Sequence, residues 1–258
     1  MREQSEGNRR RMAVAALLMA AGTAMACSDG AAARADSTGA AASARAENTP
    51  DNAKEPASRA PRLVILGTSL TAGLGLPPEK AYPSVLQALA DSAGVPVRIV
   101  NAGLSGETSA GALRRAGWVL DQPADVVVLE VGANDGLRGV DPDSTYANLL
   151  GLIDSVRTQQ PGARVALVQM EAPTNLGPQY TRAFHEAYVK AAAARQVPLL
   201  PFLLEGVAGV AALNQGDGIH PNAEGARRVA ATLWTGIRPL LASDGAKADS
   251  AGSGATVR

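Results

Sequence analysis

Five short runs of apolar, β-favouring residues divide the middle of this chain: 62–67, 97–101, 126–131, 164–170 and 198–202. Between them lie stretches with a helical period. Tyr82, Val85, Leu86 and Leu89 share one face of a candidate helix, and Leu149, Leu152, Ile153 and Val156 share one face of another over 143–160. Residues 180–195 and 222–240 read as two more. Strands alternating with helices predict an α/β fold, with a parallel sheet covered on both faces. In open sheets of this kind ligands bind outside the carboxyl ends of the strands. The residues that follow each run are therefore the ones to read for chemistry.

After the first run comes Gly67-Thr68-Ser69-Leu70-Thr71-Ala72-Gly73. Gly67 permits a sharp turn, and Ser69 falls at the start of the next helical turn. There free backbone N–H groups and the helix N-terminus favour developing negative charge. Ser69 is thus a candidate nucleophile, although Thr68 or Ser69 would serve equally as a helix cap. The segment is not the Gly-x-Ser-x-Gly nucleophile elbow, because Thr71 stands at its second glycine. After the second run comes Asn101-Ala102-Gly103-Leu104-Ser105-Gly106-Glu107-Thr108, whose glycines allow close approach to a ligand or simply a turn. After the third comes Gly132-Ala133-Asn134-Asp135-Gly136. The Asn134 side chain either donates an N–H to an oxyanion or organises its own turn.

The chain has only two histidines, His185 and His220. In Asp217-Gly218-Ile219-His220-Pro221 a carboxylate stands three residues before the imidazole. That spacing lets the acid hold Nδ1 and leaves Nε2 to take a proton from a serine. A surface contact or half of a metal site has the same spacing. Zinc is disfavoured, because such sites usually want three protein ligands and the other His and Cys are not at hand. His185 sits inside a helical pattern beside Glu186 and reads as an ordinary helix residue.

Together these blocks supply a nucleophile, two sources of oxyanion donors and an oriented base, and in that order they resemble the SGNH, or GDSL, hydrolase superfamily. Within it the bacterial thioesterase I/lysophospholipase and arylesterase group is the nearest. The likeness runs from Leu63 to about Leu240. It is carried by Ser105-Gly106-Glu107-Thr108-Ser109, by Asn134 in the block from Gly132 to Gly139, and by Asp217 to Pro221. It implies a three-layer α/β/α sandwich like flavodoxin around five parallel strands. It implies Ser69 as nucleophile, His220 as base and Asp217 as its orienting acid. The oxyanion hole would be the Ser69 and Gly106 N–H groups with the Asn134 amide. The implied activity is hydrolysis of a small-molecule ester, thioester or lysolipid, with no metal or organic cofactor. A carbohydrate O-acetyl esterase and a non-catalytic binding module are the alternatives. Residues 135–140 and 170–178 are expected to rim the acyl site. One departure stands out: Thr68 occupies the place of the aspartate that names the GDSL motif. A local change of hydrogen bonding is expected there, with activity retained.

The ends of the chain read differently. Arg9-Arg10-Arg11, an apolar stretch over 12–25 and then Ala26-Cys27-Ser28 describe a signal peptide over 1–26. Cys27 is the one cysteine, and its place resembles the lipidated residue of bacterial lipoproteins. The expected address is the cell envelope, as a membrane-anchored lipoprotein or a secreted periplasmic protein. Residues 28–61 contain no Val, Ile, Leu, Met or aromatic side chain, so they cannot bury enough apolar surface to offset their ordering entropy. The stretch 27–61 therefore reads as a disordered tether, 62–241 as the folded domain and 242–258 as a fraying tail. Cleavage after Ala26 would remove four Arg and two Glu and leave 20 basic against 22 acidic residues. Nothing in that balance calls for nucleic acid or a polybasic membrane patch.

Overall fold

The computed structural model describes residues 59–242. In chain order its elements are β1 Arg62–Gly67, α1 Ser69–Ala72, α2 Tyr82–Ser92, β2 Arg98–Gly103, α3 Ser109–Val119, β3 Val126–Glu130, α4 Ala133–Arg138, α5 Pro142–Gln159, β4 Arg164–Val168, α6 Pro178–Arg195, β5 Leu199–Leu200 and α7 Ala223–Leu241. The five strands form one parallel sheet in the order β2-β1-β3-β4-β5. This is the flavodoxin-like order, with its switch point between β1 and β3. The central strands are buried on both faces: Leu63 to Leu66 and Val127 to Leu129 are fully enclosed. Side chains that must be apolar on either face give a continuous hydrophobic run rather than an alternation.

Right-handed crossovers then place the layers. Helix α2 packs with α7 on one face, while α3, α5 and α6 pack in succession on the other. Three of the long helices begin on a capping side chain, and α2 and α6 instead carry a proline in their first turn. Asp141 caps α5 ahead of Pro142, Thr108 caps α3, and the Asn222 side chain accepts from the N–H groups of Glu224 and Gly225 at the start of α7.

Two helices were hidden in the sequence. The buried face of α3 is Ser109, Ala112, Ala116 and Val119. Small residues carry that period, so its hydrophobic signal is weak. Helix α4 is six residues long, too short to show a period. The last strand also differs from expectation, with two paired residues in place of five. Pro198 and Pro201 bracket Leu199–Leu200, and proline cannot donate to a ladder.

The register matters for the site. Gly67 pairs with Gly103 on one side and Glu130 on the other, so the three strands end level. Ser69, Gly106 and Asn134 follow those three ends along one edge of the sheet. Glycine is required at 132: its φ is +92, and a Cβ there would meet the Tyr188 hydroxyl at 2.1 Å. That hydroxyl donates to the Val131 carbonyl at 2.8 Å, fastening the chain just before α4 to α6.

Candidate active site

Thr68 adopts an extended conformation and caps α1, which places Ser69 at the first helical position. Its N–H is one of the donors that a helix start leaves without an intrahelical acceptor. The Ser69 hydroxyl lies 2.9 Å from Nε2 of His220. Nδ1 of the same ring lies 2.6 Å from Oδ2 of Asp217. The other carboxylate oxygen accepts from the backbone N–H groups of Ile219 at 2.9 Å and His220 at 3.0 Å. The His220 backbone N–H, then its ring, then the Ile219 N–H hold the Asp217 carboxyl well below the usual range. An acid so clamped stays ionised and keeps the neutral ring's proton on Nδ1.

The imidazole loop is strapped to the serine helix by Gln215. Its backbone N–H donates to the His220 carbonyl at 2.7 Å, and its side-chain amide donates to the Leu74 carbonyl at 2.7 Å and to that of Pro221 at 3.0 Å. Leu74 follows directly on the residue that ends α1.

Groups able to donate to an oxyanion stand opposite. One N–H of Asn134 is spent on the Glu107 carbonyl at 3.0 Å, which fixes the amide and leaves its second N–H free to act. Gly106 has φ +77, and its carbonyl accepts from Arg138 at 2.9 Å. The loops are stitched to each other at Gly67, whose carbonyl accepts from the Leu104 N–H at 2.9 Å and from Arg115 at 3.2 Å.

Ser69, Gly106, Asn134 and His220 all line one cavity of about 770 Å³. Its walls are mainly apolar, with Met170, Ala172, Phe202 and Leu204 among them, and among the described residues no lysine or arginine lines it. Leu74, Leu137 and Ile219 stand half-exposed along it. The two rim segments expected from the sequence contribute Leu137 and residues 170–175. Asp135 does not: it is buried and accepts from the Ser109 N–H and hydroxyl.

The structure therefore brings Ser69, Asp217, His220, Gly106 and Asn134 together. His185 stands apart from that group and pairs its Nδ1 with Glu171 at 2.7 Å. Cys27 lies outside the described residues. Two polar residues that shape the site escaped the sequence reading. Gln215 has no local signal, since its partners are contributed by the fold. Glu130 had one: it is the lone carboxylate in an apolar run, and it proves fully buried beneath Thr68. Burial pushes its pKa up to about 7, while the hydroxyl of Thr71 and the N–H and hydroxyl of Thr68 pull the other way.

The fold sets a Ser-His-Asp line at the switch point of a flavodoxin-like sheet, an arrangement that suits a hydrolase of the α/β class and is able to perform acyl transfer. The GDSL-like lipase/acylhydrolase family model matches residues 65–228, and the chain belongs to that family. It is 40% identical to the esterase TesA of Pseudomonas aeruginosa over 181 residues, covering 69% of this chain and 89% of that protein. A crystal structure of TesA superimposes with a TM-score of 0.66 at 39% identity, covering 69% of this chain and 99% of the other. An arylesterase of Vibrio mimicus is 39% identical over 63% of this chain and 81% of its own length. Thioesterase 1/protease 1/lysophospholipase L1 of Escherichia coli is 36% identical over 73% of this chain and 88% of its own length. The chain is an enzyme, an esterase of the GDSL type.

Proposed function

We propose that this esterase hydrolyses acyl esters of neutral or lysolipid type through an acyl-enzyme on Ser69. The observation that carries the reading is the unbroken line from Asp217 through His220 to Ser69, at 2.6 and 2.9 Å, opening on an apolar cavity. His220 Nε2 takes the Ser69 proton as Oγ attacks the carbonyl carbon. The tetrahedral oxyanion is met by the Ser69 and Gly106 N–H groups and the Asn134 amide, and one such donor is worth about 3–4 kcal/mol. His220 then gives its proton to the leaving alcohol or thiol, and water repeats the cycle on the acyl-enzyme.

A cavity of about 770 Å³ is far larger than an acetyl group needs, which favours longer acyl chains over O-acetyl sugars. Among the described residues the lining carries no lysine or arginine, which disfavours highly anionic acyl thioesters as substrates. An exported address fits the same choice. The basic, apolar and small-residue succession ending at Cys27 supports a lipidated anchor, with residues 28–61 as tether on the periplasmic side.

The test is hydrolysis of p-nitrophenyl esters from acetyl to palmitoyl by the full chain, beside Ser69→Ala. Turnover lost in the variant, with an optimum beyond acetyl, supports the reading. An acetyl optimum would transfer it to the deacetylase class, and turnover that survives the substitution would end it.

A further inference from the structure

The nucleophile's loop stands on a buried carboxylate that the proposed chemistry does not use. Glu130 ends β3 beside Gly67 and is wholly buried. Its Oε2 accepts from the Thr68 N–H at 2.9 Å and from the Thr71 hydroxyl at 2.6 Å, and its Oε1 accepts from the Thr68 hydroxyl at 3.0 Å. These donors come from the residues immediately before Ser69 and two after it.

With Glu130 ionised, the direction of the bonds follows from counting hydrogens. A hydroxyl has one to give. Thr71 gives its own to Glu130, so its oxygen accepts from the Tyr82 phenol at 2.6 Å. Thr68 gives its own to Glu130, and its oxygen accepts from the Leu70 N–H that it caps. The whole chain of donors, from α2 through α1, ends on a carboxylate.

We propose that Glu130 is a positioning residue for Ser69: by accepting from Thr68 and Thr71 it holds the first turn of α1 where the Ser69 hydroxyl meets His220. Thr68 takes over the place of a family aspartate without adding a second buried carboxylate. A hydroxyl there donates to Glu130, where a carboxylate would repel it. The inference rests on the reading of Ser69 as nucleophile. Protonation of Glu130 would force one of the hydroxyls to turn round, so the register of Ser69 depends on pH. The other titratable groups around it are the buried phenols of Tyr82 and Tyr188, kept neutral by burial, and Arg115 paired with Glu107, which reaches the neighbouring Gly67 carbonyl.

Two histidines make a direct test possible. Full-length protein labelled with ¹⁵N-histidine shows one imidazole at Ser69 and one reference ring, assigned with His185→Gln. Glu130→Gln is expected to move the His220 Nε2 resonance most of the way to its position in Ser69→Ala, with the His185 signals unmoved. On a p-nitrophenyl ester, kcat should fall about tenfold, the factor for a loss of 1.4 kcal/mol, with KM unchanged. In wild type the acid side of log kcat/KM should carry an added fall of about tenfold as Glu130 protonates, and that step should be absent from Glu130→Gln. Thr71→Val should move both readouts the same way, and Thr71→Ser should restore them. Should Glu130→Gln fail to unfold cooperatively, the Thr71 pair decides alone. A wild-type His220 resonance in folded Glu130→Gln or in Thr71→Val overturns the proposal. Absence of Ser69-dependent turnover in the wild type would instead sink the esterase chemistry, while the ring resonances would still judge the positioning.

Discussion

The two histidines of this protein are near twins in their first contact and opposites in their second. His220 and His185 each hold Nδ1 against a carboxylate, at 2.6 and 2.7 Å, and both pairs border the same cavity, the second through Glu171. The difference lies beyond the pair. Nε2 of His220 faces a serine at a helix start, and its side chain is 17% exposed, whereas that of His185 is 50% exposed. Asp217 is clamped by two backbone N–H groups, whereas among the described residues Glu171 bonds only to His185. An imidazole–carboxylate pair is therefore not in itself a catalytic device. On the proposed reading it becomes one when the acid is immobilised and the far nitrogen is aimed at a serine hydroxyl.

The strongest attempt to break this contrast is to remove each ring. His220→Ala should lower kcat/KM by about ten-thousand-fold or more, as loss of a triad base does. His185→Gln should stay within about twofold, as for an ordinary surface change. Comparable losses in the two variants would erase the distinction. The acids come next. Asp217→Asn should cost about 10⁴ in kcat by favouring the wrong tautomer, and Glu171→Gln should leave kcat near wild type in the same assay. Asn134→Ala removes one proposed oxyanion donor and should lower kcat by about 10²–10³ with little change in KM.

Titration sharpens the comparison from another side, because two carboxylates of the site are shifted in opposite directions. The folded pKa of Asp217 is depressed. Its contribution to stability is present above the ordinary carboxylate range and is lost as pH falls through the folded value, so Asp217→Asn and wild type should converge in acid. The folded pKa of Glu130 is raised to about 7. Its contribution is present below its unfolded value and is lost as pH rises through about 7, a change of about 3 kcal/mol. Chemical denaturation between pH 4 and 8 should show that slope in wild type and not in Glu130→Gln. The smallest effect is expected from Gln215→Ala, which frees the imidazole loop from Leu74. Two hydrogen bonds at about 1 kcal/mol each bound the loss of stability, and a drop in kcat without a change in KM would identify the strap as positional.

Much of this was legible before any coordinates. The central strands announced themselves because burial on both faces demands continuous apolar side chains, and α5 and α7 because one buried face repeats at the helical period. Helix α3 was not legible, since Ala112 and Ala116 bury as well as leucine does but carry almost no signal. At the site, Ser69, Asn134 and the Asp217–His220 pair stood out because turn chemistry and short spacing are local properties. Glu130 looked like the tail of an apolar run, and its role depends on Thr68 and Thr71, roughly sixty residues away in the chain.

What the sequence determined by itself was the alternation of strand and helix, the capped turn that exposes a serine, and an acid three residues ahead of an imidazole. These are properties of neighbours along the chain, governed by backbone sterics, side-chain period and hydrogen bonds of short reach. Tertiary structure decided which histidine reaches that serine, across 151 positions. It also decided which carboxylate lies beneath the serine's loop and how wide a cavity opens beside it. Those outcomes depend on the level ends of three parallel strands and on where buried polar groups find their partners, and no local pattern encodes either.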